Sequence, residues 1–171
     1  EKIEAIAQLM NDNFRDNGEK LSDLAEKLKD KNDFYYIARG INFAIAGEGA
    51  LKLKEIAYVH AEGMPAGELK HGTLALVEKG TPVVAICPRD YTFGETLSNV
   101  TETKARGAFV IGVSDQREQI FDEWVKIPSV EEVFCPLVSI VPLQLFAYQS
   151  AIARALDPDK PRNLAKSVTV K

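Results

Sequence analysis

An α/β fold, with helices on both faces of a parallel sheet, is predicted from two observations. Segments of helical period alternate with short strand candidates along the chain, and those strand candidates are continuous apolar runs of the kind buried on both faces. A third observation sets the scale: 171 residues, 46% hydrophobic and 27% charged, suffice for one domain that closes its own core.

The elements follow in order. Ile3, Ile6, Ala7 and Met10, then Leu21, Leu24, Ala25 and Leu28, recur at helical spacing, with a break at Asn17-Gly18, so two helices precede the first strand. Residues 34–38, Phe-Tyr-Tyr-Ile-Ala, read as a buried strand closed by Arg39-Gly40, and residues 42–60 as the helix that follows. Gly49, Ala50 and Leu51 read as a helix start packed closely on the sheet. A second strand, residues 82–87, ends at Pro88-Arg89-Asp90; residues 95–105 form an amphipathic helix stopped at Gly107. Residues 108–113 form a third strand and 124–127 a shorter fourth. Residues 131–156 are a long apolar segment that Pro142 is expected to kink or break unless it falls in a first turn. The order describes a three-layer α-β-α sandwich with a parallel, flavodoxin-like sheet, in which ligands gather at the carboxyl ends of the strands.

Composition narrows the function. The net charge of −4, with both signs interspersed, lacks the footprint of a nucleic-acid binder. No apolar run is read as approaching the roughly 20 residues that a membrane-spanning helix needs, and Glu1-Lys2-Ile3-Glu4 carries no signal-peptide pattern, so a cytoplasmic location is expected. Cys87 and Cys135 sit in apolar segments and read as buried thiols; no metal-ligand spacing occurs. The chain does not start with Met, as expected of a segment of a longer polypeptide.

The chemistry concentrates in Glu48-Gly-Ala-Leu-Lys52-Leu-Lys-Glu55 and, further on, Gly67-Glu-Leu-Lys-His71-Gly. On a helix, Glu48, Lys52 and Glu55 stand at i, i+4 and i+7 and share a face, and His71 can fold back beside them from the next loop. Two carboxylates, an amine and an imidazole are the parts for moving protons on a sugar. Taken alone, the helical triad equally describes a solvated salt-bridge face. His60 lies off that face and reads as structural.

Four ordered blocks carry a resemblance. Phe43 to Glu62, Gly67 to Gly72, Val141-Pro-Leu-Gln-Leu and Pro161-Arg-Asn-Leu-Ala-Lys166-Ser-Val-Thr-Val resemble the isomerase part of the glutamine:fructose-6-phosphate amidotransferases, the glucosamine-6-phosphate synthases. The resemblance implies the second of two sugar-isomerase (SIS) domains: residues 1–30 a helical linker from a preceding SIS domain, 31–157 the domain itself and 158–171 a C-terminal active-site tail. It implies fructose 6-phosphate as substrate, glucosamine 6-phosphate as product, no metal or organic cofactor, a glutaminase domain upstream and a homodimer.

The same resemblance assigns roles. Glu55 corresponds to the carboxylate that moves a proton between C1 and C2 of the open-chain sugar. His71 corresponds to the histidine that opens the ring, contributed to the neighbouring subunit's site; an imidazole with a pKa of about 6.5 has both forms accessible near neutral pH. Lys166 corresponds to the lysine that forms a Schiff base with the sugar carbonyl. Glu48 and Lys52 are supporting substrate-binding residues, and Ala165 seats the sugar by backbone contact. Thr73 stands where the family usually has proline after His-Gly. The Ser/Thr-rich turn with which this family holds phosphate at a helix N-terminus has only a faint echo in Thr92-Phe-Gly-Glu-Thr96, so the phosphate cradle is expected in the preceding domain. Two alternatives share the fold, a noncatalytic phosphosugar-binding module and a fructosamine-6-phosphate deglycase. Glu55, His71 and Lys166 together argue against the first, because binding alone needs no Schiff-base lysine.

Overall fold

The computed structural model describes residues 2–163. Its helices are α1 (Lys2–Asp16), α2 (Gly18–Leu28), α3 (Phe43–Ala57), α4 (Phe93–Lys104) and α5 (Cys135–Ala153). Its strands are β1 (Asp33–Ala38), β2 (His60–Pro65), β3 (Pro82–Ile86), β4 (Phe109–Ser114) and β5 (Glu123–Lys126). They form one all-parallel sheet in the order β2-β1-β3-β4-β5. The expected parallel α-β-α sandwich is therefore present, with one strand more than the sequence reading.

Side-chain parity builds the two cores. Phe34, Tyr36, Val84, Ile86, Ile111 and Val113 point to the layer of α2, α3 and α5. Their neighbours Tyr35, Ile37, Val83, Ala85 and Val110 point to the opposite layer, with Val100 of α4 and Ala66, Leu69 and Leu74 from the 3-10 turns after β2. Residues 2–30, expected as a connecting segment, pack on this domain's own core. Leu21, Leu24, Ala25 and Leu28 of α2 are all buried, and each buried leucine contributes about 1.5–3 kcal/mol.

Two readings of this region are corrected, and one strand was not read. The helix expected over residues 42–60 stops at Ala57, because Tyr58 adopts the left-handed conformation (φ 56°, ψ 36°), and β2 follows at once. That strand, His-Ala-Glu-Gly-Met-Pro, lacks apolar alternation and contains Gly63, so it carries no strand signal. The glycine is needed there: a Cβ at Gly63 would lie 2.5 Å from Gly47 Cα of α3. Gly49 to Leu51 lie in the middle of α3, not at its start, which is Phe43.

Pro142 neither breaks nor begins its helix; it lies inside α5, with another proline at the first turn. A proline leaves the carbonyl four residues back without its helical donor. Here that carbonyl is Val138 O, and the buried Asn13 side chain of α1 donates to it at 3.0 Å. Asn17, the single residue between α1 and α2, donates in turn to Asn13 Oδ1 (2.6 Å) and to Lys126 O (3.0 Å) of β5. The break at Asn17-Gly18 is thus built around the helix that the proline spares.

The expectation that no apolar run reaches spanning length is also corrected. The 22 residues Glu132–Ala153 are long and apolar enough, by length and composition, to cross a membrane. The reason for the composition is packing. Helix α5 is the element on which α1, α2 and α3 converge, and Val138, Leu143, Phe146 and Ala151 are buried in it. Cys87 and Cys135 are free and buried, as expected.

Candidate functional site

Helix α3 presents its charges because its other face is small. Ala46, Gly49, Ala50, Leu53 and Ala57 are buried toward the sheet and α5. At Gly49 a Cβ would meet Leu143 Cδ1 at 2.7 Å and the Tyr36 ring at 3.0 Å, so α3 lies as close to its neighbours as backbone allows. On the accessible side Lys52 Nζ sits 2.8 Å from Glu55 Oε2 and 3.4 Å from Glu48 Oε1. The hydrogen bond to Glu55 comes first among the causes that hold the Lys52 ammonium above the ordinary lysine range. Lys52 is therefore a fixed cation between two carboxylates, unsuited to be a free-amine nucleophile.

The structure does not bring His71 beside this triad. His71 ends the turn Ala66–His71, which inserts Ala66 and Leu69 into the core layer opposite α3. Its Nδ1 is 3.6 Å from Glu68 Oε2, and its side chain is 73% exposed. The reading in which His71 folds back within its own chain is corrected: α3 and the turn lie on opposite sheet faces, so a shared site needs a second source for one of them. His60 lies at the other end of β2, its Nδ1 3.1 Å from Asp33 Oδ1. Ala165 and Lys166 lie outside the described residues. Before them, Arg162 donates its backbone N–H to Tyr58 Oη at 2.7 Å and lays its guanidinium over the Tyr58 ring, 4.2 Å from the centroid.

The sheet order 2-1-3-4-5 makes the gap between β1 and β3 the topological switch point. Of the residues gathered at its carboxyl end, only Thr92 and Thr96 were singled out from sequence. Asn42 Nδ2 donates to Asp90 Oδ2 at 2.9 Å, linking the entry of α3 to the loop after β3. Asp90 Oδ1 accepts from the Thr92 N–H and the Thr92 hydroxyl, both at 2.8 Å, at the N-terminus of α4. The Thr96 hydroxyl donates to Thr92 O within the helix. Arg39 Nε donates to Asn99 Oδ1 at 3.0 Å, and its guanidinium lies against Gly67, where a Cβ would be 3.0 Å away. In the echo of a phosphate turn, the two threonine hydroxyls are thus used internally and a carboxylate stands where an anion would bind. The signal was available, since Arg39, Asn42 and Asp90 all lie within four residues of a strand end. Among the described residues no cluster of three His, Cys, Asp or Glu side chains is arranged to hold a metal ion.

A 2-1-3-4-5 parallel sheet flanked by helices is a doubly wound α/β domain of flavodoxin-like topology. Residues 27–154 match the SIS domain family, and the chain belongs to it. It is 60% identical over 154 residues to the glutamine–fructose-6-phosphate aminotransferase (isomerizing) of Thermococcus kodakarensis, covering 89% of this chain and 26% of that protein. The enzyme of the same name from Pyrococcus horikoshii is 53% identical over 170 residues, covering 98% of this chain and 28% of that protein. The chain therefore spans less than a third of these relatives. The C-terminal domain of glucosamine-fructose-6-phosphate aminotransferase from Francisella tularensis superposes with a TM-score of 0.86 at 37% identity, over 93% of this chain and 46% of that one.

Proposed function

We propose that this chain is the C-terminal isomerase half of a cytoplasmic, homodimeric aminotransferase that turns fructose 6-phosphate and glutamine-derived ammonia into glucosamine 6-phosphate. The observation that carries the reading is the Glu48–Lys52–Glu55 ion ladder on the open face of α3, in a chain so similar to enzymes of that name. His71 moves a proton between the ring oxygen and the anomeric hydroxyl, opening the sugar. Lys166 attacks the C2 carbonyl, water leaves as the imine forms, and ammonia displaces the lysine to give the fructosimine. Glu55 takes a proton from C1 and returns one to C2. Lys52, charged and hydrogen-bonded to Glu55, aims that carboxylate, while Glu48 and the Ala165 backbone contact the sugar. Phosphate is held by the preceding SIS domain; the internally satisfied turn at Asp90 supports this division. The position of His71 on the face opposite α3 supports a site completed by the partner subunit.

One experiment tests residues and dimer together. In full-length protein Glu55→Gln and His71→Ala should each lose nearly all isomerisation while binding sugar phosphate, and mixed dimers of the two should regain about half of wild-type activity per dimer, through one intact composite site. Activity of exchanged mixed dimers no higher than that of the parents would show that His71 does not serve the partner's Glu55.

A further inference from the structure

Helix α3 ends in a way that ordinary helix chemistry does not explain. The residue after a helix that turns left-handed is usually glycine, sometimes asparagine, because a bulky side chain is strained there. Here it is Tyr58, at φ 56° and ψ 36°. An observed outlier of this kind points to a task for the side chain that outweighs its strain. The task is visible at the tip of the ring. Tyr58 Oη accepts the Arg162 N–H at 2.7 Å, while the Arg162 guanidinium covers the ring face at 4.2 Å. Asn163, the last described residue, is itself left-handed (φ 62°).

We infer that Tyr58 is a positioning residue: it ties the root of the C-terminal arm to the end of the helix that carries Glu55. The inference rests on the function proposed above and deepens it. Tyr58 follows Glu55 by three residues, about 4.5 Å along a helix axis. Lys166 follows Arg162 by four residues, a reach of at most about 14 Å. Without the tie, the last residue anchored to α5 would be Leu156, whose N–H donates to Ala151 O at 2.9 Å. The separation would then be ten residues, a reach of at most about 35 Å. Effective concentration falls roughly as the −3/2 power of tether length, so going from about 4 to about 10 residues lowers it about four-fold. Tyr58 thereby raises the frequency with which the lysine meets the carbonyl, without touching substrate.

The test uses full-length protein carrying Tyr58→Phe or Tyr58→Gly, followed by amide hydrogen exchange, steady-state kinetics with fructose 6-phosphate and borohydride trapping at Lys166. Tyr58→Phe keeps the ring and the left-handed backbone but loses the acceptor. It should speed exchange of the Arg162 amide at least five-fold and lower kcat and the trapping rate about four-fold, with KM for fructose 6-phosphate unchanged. Tyr58→Gly should do the same or more at an equal or higher melting temperature, because it also releases the backbone strain; a merely structural role would lower the melting temperature instead. Arg162 protection unchanged in Tyr58→Phe would overturn the tie, and faster exchange with kcat unchanged would overturn its positioning role. If wild-type protein shows no adduct at Lys166, the functional reading fails, and the exchange measurement alone still decides whether Tyr58 holds the arm.

Discussion

Cys87, free and buried, makes a measurable statement about the interior. Burial, reinforced by the nearby Asp90, pushes its thiol up from 9.0 to about 12, and burial raises that of Cys135 to about 11. Both thiols should resist alkylation at pH 8 in the folded protein and react promptly on unfolding. The sign of the linked pH effect follows from proton counting. Above pH 9.0 the unfolded Cys87 loses a proton that the folded one keeps to about 12, so stability falls as pH rises through that window. Denaturant melts between pH 8 and 11 should show that decline, less steep in Cys87→Ala; an equal slope in the variant would place the titration elsewhere. At this scale the sequence was a good guide where chemistry is local. Glu48, Lys52 and Glu55 share a helix face as their spacing required, because i, i+3 and i+4 contacts need no tertiary information. The placement of His71 beside the triad of its own chain was misjudged because its position depends on which sheet face a turn packs against, and no local spacing encodes that.

The helices and strands were legible wherever their apolar pattern was strong. Strands β1, β3 and β4 are buried on both faces, and α2 carries a clean stripe. β2 was not legible, since an edge strand with Gly63 pressed onto α3 has no room for the side chains that mark a strand. Pro142 misled for a related reason: its cost falls on Val138 O, and the compensating donor comes from Asn13, 125 residues away. This pairing yields a prediction. Asn13→Ala should strand a buried carbonyl and cost about 1–3 kcal/mol. Pro142→Ala supplies Val138 O with a helical donor of its own, so the double variant should recover much of that loss, with a coupling of about 1 kcal/mol or more. Urea melts of the four proteins in the cycle measure it, and strictly additive losses would mean that Asn13 acts only through Asn17 and β5.

For the whole molecule, topology governs what the chain can do alone. The order β2-β1-β3-β4-β5 puts the ligand crevice between Ala38 and Ile86, the ends of β1 and β3, and there Asp90, Asn42 and Thr92 satisfy one another. The absence of a phosphate turn was readable from sequence; the carboxylate that stands in its place was not, because hydrogen bonds between separate loops leave no spacing. Phosphate anchoring is the largest source of binding energy for orienting a small flexible sugar, and little of it is on offer here. The two core layers, by contrast, are closed by residues of this chain alone, including α2. Residues 1–171 expressed alone should therefore unfold cooperatively yet form little glucosamine 6-phosphate from fructose 6-phosphate and ammonia. Extending the polypeptide upstream through the SIS domain proposed to precede it should restore turnover by about two orders of magnitude or more, the scale of one lost set of charge-assisted anion contacts at about 1.5–3 kcal/mol each. Comparable turnover by the short and the extended proteins would require a phosphate site within residues 1–171, and the first place to search would be the N-terminus of α4 with Asp90 displaced.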